Sequence, residues 1–285
     1  MANTRTIRSR IRGVQNTAKI TRAMEMIASS KMRKAQERGL AGRPYSEKIR
    51  QVIADLAALP AGNEGLHPLL QKREIKKIAI VHITPDRGLL GGLDANLNRK
   101  TASFMLQQQV QTSLVLVGRR GIDYMRRYGR EVLAEFTKLG DKPSLIDTLP
   151  ISHIIIDDYT KGLIDVTYVV YAQFINTMRQ TPVMKQILPV VPDEKSSSHG
   201  IDYIFEPNAS EVLNRLLPRF VESEIYHAIM ESIASEQSAR MVAMRNATES
   251  ANDLVQTLTL AYYKARQESI TSELLDIVGG ASAIA

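Results

Sequence analysis

The chain has 285 residues, of which 44% are hydrophobic, with five histidines, no tryptophan and no cysteine. Without cysteine there is no disulfide, thiolate metal site or thiol nucleophile, and apolar runs such as Ile78–Val81 and Ile154–Ile156 fall far short of the ~20 residues of a membrane span. The net charge of +7 is concentrated at the start, where residues 1–50 carry 13 Lys or Arg against three acids, a net +10 that leaves the remaining chain at −3. Such a segment calls for an acidic partner: nucleic acid, anionic lipid or an acidic protein surface.

The opening, MANTRTIRSRIRGVQNT, is basic but has no apolar core or cleavage site, so it is read as structure and not as a targeting signal. Residues 1–60 form a helical segment. Ile7, Ile11, Val14, Ala18, Thr21, Glu25, Ala28, Met32 and Ala35 alternate in steps of four and three, the period that keeps one stripe against a partner helix. Gly39, Gly42 and Pro44 predict a kink or break near Arg43, because proline removes an amide donor and crowds the preceding turn. An apolar face resumes from Ile49 to Leu59, and Pro60-Ala-Gly62 ends it.

Residues 70–195 have a different texture. Ile78–Ile83, Leu114–Val117 and Val166–Phe174 are apolar runs of strand length. Helical stretches at about Asp94–Gln109, Arg119–Tyr128 and Leu145–Gly162 separate them. Alternation of this kind predicts a Rossmann-like α/β domain with a largely parallel sheet. Pro192–Gly200 reads as a solvated linker.

The last segment, 208–285, mirrors the first. Between Ser210 and Val278 there is one proline, Pro218, and no glycine. Ile233, Gln237, Arg240, Met244, Ala247, Ala251, Leu254, Leu258, Ala261 and Ala265 again step four and three. Roughly 65 helical residues would span on the order of 100 Å, too long to bury in one compact domain. The predicted fold is therefore α/β, with the amino- and carboxy-terminal helices paired as a long antiparallel coiled coil. On periodicity alone, a compact two-helix bundle is the alternative.

Little of the sequence is equipped for chemistry. Thr84-Pro-Asp-Arg-Gly-Leu-Leu-Gly-Gly-Leu-Asp94 lies between a strand and a helix, where glycine-rich turns hold phosphates. It lacks the lysine and hydroxyl of a nucleotide-hydrolysing loop and reads better as a tight crossover; Gly118-Arg-Arg-Gly121 is a weaker case. The histidines, His67, His82, His153, His199 and His227, fall in no metal-ligand motif. Asp157 and Asp158 are adjacent, so on a helix they face different ways. No cofactor or metal is expected.

The two ends resemble the gamma subunit family of the rotary ATP synthase. The resemblance is carried by Ile7-Arg-Ser-Arg-Ile11, Val14-Gln-Asn-Thr17, Lys19–Met26 and Ser30-Lys-Met-Arg-Lys34, and by Lys264–Ala283 with Ile270, Thr271, Glu273, Asp276, Gly280 and Ala281. Thr84–Gly92, Phe174–Met178 and Ser235–Met244 match as well. The resemblance implies a non-catalytic central-stalk subunit whose helices turn inside a ring of alpha and beta subunits. It also implies a domain that meets the epsilon subunit and the c-ring, on the cytoplasmic side of a bacterial plasma membrane. By the same resemblance, Met24, Arg266 and Gln267 would contact beta, and Tyr203, Phe205 and Glu206 would contact epsilon and the c-ring. The absence of cysteine rules out a thiol switch of the chloroplast kind. Apart from the resemblance, the stronger rival is a nucleic-acid-binding module built on the basic first helix, although residues 1–44 hold no aromatic side chain for base stacking; the second is a small α/β phosphate-binding enzyme built around Gly88–Gly92.

Overall fold

The computed structural model describes residues 4–58, 67–128, 130–191, 206 and 208–284. The elements are α1 (Thr4–Ala58), β1 (Lys77–Ile83), α2 (Leu93–Gln107), β2 (Gln111–Val117), α3 (Arg119–Met125), β3 (Glu131–Phe136), α4 (Leu145–Thr160), β4 (Val166–Asn176), β5 (Arg179–Leu188) and α5 (Ala209–Ile284). Two compact units result. One is Ser29–Ala239; the other comprises the remaining helix ends, up to Ala28 and from Arg240. None of the described helices is long and apolar enough to cross a membrane.

The unit Ser29–Ala239 is built on a five-stranded sheet of order β3-β2-β1-β4-β5. The first four strands run parallel and β5 pairs antiparallel to β4. Side chains alternate across the strands, as the pleat requires. Ile78, Ile80, Leu114 and Leu116 join the core under α2 and α3. Ala79, Val81, Val115 and Val117 join the core that receives α4 and the long helices, including Ile49, Ile53, Leu217, Val221 and Ile225. Because both faces are covered, the central strands are predominantly apolar, with His82, Thr112, Ser113 and Thr167 the buried polar exceptions.

Two strands are absent from the predicted set. β3 is a half-buried edge strand interrupted by Glu131 and Glu135. β5 is the opposite edge and carries Pro182 within a polar run. Edge strands tolerate charge and proline because one side of the backbone pairs with nothing. They therefore lack the apolar signature of the central three.

Of the kink or break predicted near Arg43, the break does not occur: α1 runs through Pro44 as one helix. Pro44 itself is exposed, while Ser46, Ile49 and Ile53 just beyond are buried. Packing of that face against α5 outweighs the local cost of the missing amide. Within this unit the helices are antiparallel. Ser46 Oγ lies 3.0 Å from Ser223 Oγ and 2.6 Å from His227 Nε2, and one turn on, Arg50 lies over the Phe220 ring.

In the other unit the predicted first seam is the observed one. Ile7, Ala18, Thr21 and Ala28 are buried and Ile11, Val14 and Glu25 half-buried, while Arg5, Arg8, Arg10, Arg12, Lys19 and Arg22 are exposed. Thr21 Oγ1 meets Thr248 Oγ1 at 2.7 Å, and Ala18 and Ala251 on either side are buried. On α5 the predicted seam holds to Ala251 and then shifts: Leu254 and Ala261 are exposed, and Val255, Leu258, Tyr262 and Ala265 are the half-buried positions. A strict seven-residue repeat drifts by about 20° per heptad on a straight helix. The extra four-residue step from Ala251 to Val255 takes up that drift.

Candidate functional site

Met24 lies on α1, half-buried three residues beyond the Thr21–Thr248 contact. Arg22, also on α1, donates to Glu25 at 2.8 Å. Arg266 and Gln267 are exposed on α5, about five helical turns beyond Thr248, so Met24 and this pair form two separate patches. Around them α5 presents Leu260, Tyr263, Leu274, Leu275, Ile277 and Val278, each more than half exposed. Apolar side chains in that density on one helix mark a surface built to be covered. Glu206 is exposed in a bend, whereas Tyr203 and Phe205 lie outside the described residues, as do the predicted Pro60–Gly62 terminus and the Pro192–Gly200 linker.

The glycine-rich turn after β1 has a structural occupation. Asp86 accepts hydrogen bonds from the backbone N–H of Arg119 at 3.0 Å and of Lys138 at 2.9 Å, tying the ends of β2 and β3 together. Thr84 Oγ1 donates toward the Val117 and Gly118 carbonyls and accepts from the Gly121 N–H at 2.8 Å. The Asp86 carboxylate and the Thr84 hydroxyl thus serve as ties between strand ends. Gly118 has φ +92°, and a Cβ there would lie 1.9 Å from the Thr84 carbonyl oxygen, so Gly118-Arg-Arg-Gly121 is a close-approach motif. Doubly wound sheets bind ligands where strand order reverses, here between β1 and β4. β4 instead runs straight on into its hairpin with β5, so among the described residues no βα loop follows β4 to wall a crevice.

The described histidines are accounted for by structure. His82 is fully buried; its Nε2–H donates to Asn98 Oδ1 at 2.8 Å and its Nδ1 accepts from Thr101 at 2.9 Å. Burial pushes its pKa down to about 4 against the opposing bond to Asn98. His67 caps the 3-10 turn Pro68–Leu70, and His153 stands 3.6 Å from Glu222. Among the described residues no group of three or more His, Asp or Glu is placed to hold a metal ion.

Sequence reasoning missed one buried charge cluster. Glu224, on α5, accepts from Arg50 of α1 at 2.6 Å and from Lys185 of β5 at 2.5 Å, with its side chain only 10% exposed. Burial raises the carboxyl pKa, but the two cations outweigh it and hold the group below its ordinary value. The residues are remote in sequence, so no motif announces them; a lone Glu beside Ile225 on a buried stripe is the faint signal available. They edge a cavity of about 640 Å³ also lined by Ser46, His227 and Glu231.

The fold is shared by chains from solved ATP synthase structures. One, from the structure of the Euglena gracilis mitochondrial ATP synthase OSCP/F1/c-ring, superposes with a TM-score of 0.69 over 99% of this chain and 94% of its own, at 18% identity. Another, from the Tetrahymena thermophila mitochondrial ATP synthase central stalk/c-ring, gives 0.60 over 80% of this chain and 99% of its own, at 22% identity. At those identities the likeness defines the fold.

Sequence defines the family: residues 3–284 match the ATP synthase family model, and the chain belongs to the ATP synthase gamma chain family. The gamma chain of Dehalococcoides mccartyi strain BAV1 is 64% identical over the full length of both chains. That of Legionella pneumophila strain Corby is 46% identical, again over both entire chains. The nucleic-acid reading of the basic first helix finds no support in this membership.

Proposed function

We propose that this chain is the central rotor subunit of a proton-translocating ATP synthase, non-catalytic itself, which couples the turning of a c-ring to an alpha/beta catalytic ring. The observation that carries the reading is family membership across residues 3–284. The physical form agrees with it: a 76-residue helix whose last turns expose apolar side chains suits a shaft that turns within a sleeve. Residues 277–285 carry no charged side chain, so this stretch can turn with few polar contacts to break. The charges of α1 suit acidic levers on a beta subunit.

In this reading Met24, Arg266 and Gln267 face beta, where a guanidinium and an amide suit reversible bonding to acceptors. Tyr203, Phe205 and Glu206 face epsilon and the c-ring. Residues 70–195 work as one α/β domain between the helical segments 1–60 and 208–285, and the complex lies at the cytoplasmic face of a bacterial plasma membrane. The test is reconstitution with cognate alpha and beta subunits and a bead fixed to the α/β domain. Stepwise, ATP-driven rotation that is lost on deleting residues 264–285 together with the opposing end of α1 supports it. An ATPase complex whose bead never turns, or a chain that does not assemble, overturns it.

A further inference from the structure

In the unit Ser29–Ala239, the long helices meet the sheet mainly through apolar side chains such as Ile49, Ile53, Leu217, Val221 and Ile225. Apolar burial is non-directional. It holds layers together through shape and area, with no bond tied to a particular pair of polar atoms. Glu224 adds what apolar packing lacks. Its two oxygens go to two different elements, Oε1 to Arg50 Nη2 of α1 at 2.6 Å and Oε2 to Lys185 Nζ of β5 at 2.5 Å. One nearly buried carboxylate thus ties both long helices to the antiparallel edge of the sheet.

We infer that Glu224 is a positioning residue for torque transmission, the pin that makes α1, α5 and β5 turn as one body. The inference rests on the rotor reading above. Shear that carries β5 past the helices must pull Lys185 off Oε2, and slip between the helices must pull Arg50 off Oε1. With the side chain 10% exposed, slip takes a cation away from a nearly buried carboxylate, which is costly. Among the cavity's other lining groups, Glu47 and Glu231 are acidic, and the His227 Nε2 is taken up by Ser46 at 2.6 Å. Arg50 is held from a second side by the Phe220 ring, 5.9 Å from its guanidinium carbon, so the helix end of the clamp is itself braced.

The test uses the whole complex in sealed vesicles, measuring protons pumped per ATP hydrolysed as the gradient builds. Glu224→Gln keeps the shape and removes the charge. It is expected to leave hydrolysis close to wild type while the pumping ratio falls about threefold or more under load, because a buried charge pair is lost on both sides. Lys185→Met is expected to fall in the same direction and Lys185→Arg, which keeps the cation, to stay near wild type; both change a half-exposed side chain, so they decide the matter even if Glu224→Gln fails to assemble. An assembled Glu224→Gln complex that pumps at the wild-type ratio up to the full gradient overturns the inference, as do Lys185→Met and Lys185→Arg complexes that behave alike. A wild-type complex that hydrolyses ATP without pumping sinks the rotor reading instead, and the clamp with it.

Discussion

Gly118 shows how tightly single positions are determined. Its φ of +92° and a prospective Cβ at 1.9 Å from the Thr84 carbonyl leave no room for a side chain. Gly118→Ala is expected to cost more than about 3 kcal/mol, combining backbone strain with a clash against immobile backbone; denaturant unfolding of the full chain measures it. His82 carries a pH dependence. Its folded pKa, about 4, lies below the ordinary 6.5, so the native state binds fewer protons than the unfolded one near it. The stability this group contributes is present above pH 6.5 and drains away as pH falls toward 4, by up to about 3 kcal/mol. Melting temperatures across that range are expected to fall less steeply for His82→Gln, which keeps polar partners for Asn98 and Thr101 but does not titrate. A Glu224 carboxyl held below its usual range acts lower still: its stabilisation is present above ordinary carboxylate pKa values and is lost as pH falls through the depressed one.

Between elements, the long helices are joined by small and hydroxylated residues where a dimerising zipper would place leucines. Alanines at 18, 28 and 251 are buried, and Thr21 pairs with Thr248 at 2.7 Å. Small side chains let the backbones approach closely, and a hydroxyl pair at a seam position adds a contact that slip would break, beyond the carbonyls of Ala18 and Met244 that each hydroxyl reaches on its own helix. A double-mutant cycle with Thr21→Val and Thr248→Val is expected to return a coupling of about 1 kcal/mol; additive losses would mean that the bond contributes nothing to register. The first seam is legible directly from the spacing of Ile7, Val14, Ala18 and Thr21, because a stripe of 3.5-residue period is what a helix needs to keep facing a second helix along its length. The shift at Val255 is not, since it depends on how far the helix has drifted against its partner. Pro44 illustrates the same limit: local propensity argues for a break, and burial of Ile49 and Ile53 decides otherwise.

For the molecule as a whole, the proposed beta-facing patch makes the sharpest prediction. Arg266→Ala combined with Gln267→Ala leaves the fold intact, since both side chains are exposed. It is expected to lower ATP synthesis by the assembled complex about fivefold, the effect of losing roughly 1 kcal/mol of contact. Unchanged synthesis would remove this pair from the working surface. Sequence alone determined the α/β middle between two seamed helices, the central strands and the gamma-family resemblance, because apolar periodicity and short exact motifs are local properties of the chain. Tertiary structure alone decided the edge strands β3 and β5, the passage of α1 through Pro44, the use of Asp86 and Thr84 as ties between strand ends, and the convergence of Arg50, Lys185 and Glu224. Each of these depends on partners distant in the chain, and the free energy of a buried contact belongs to the pair and not to either residue read by itself.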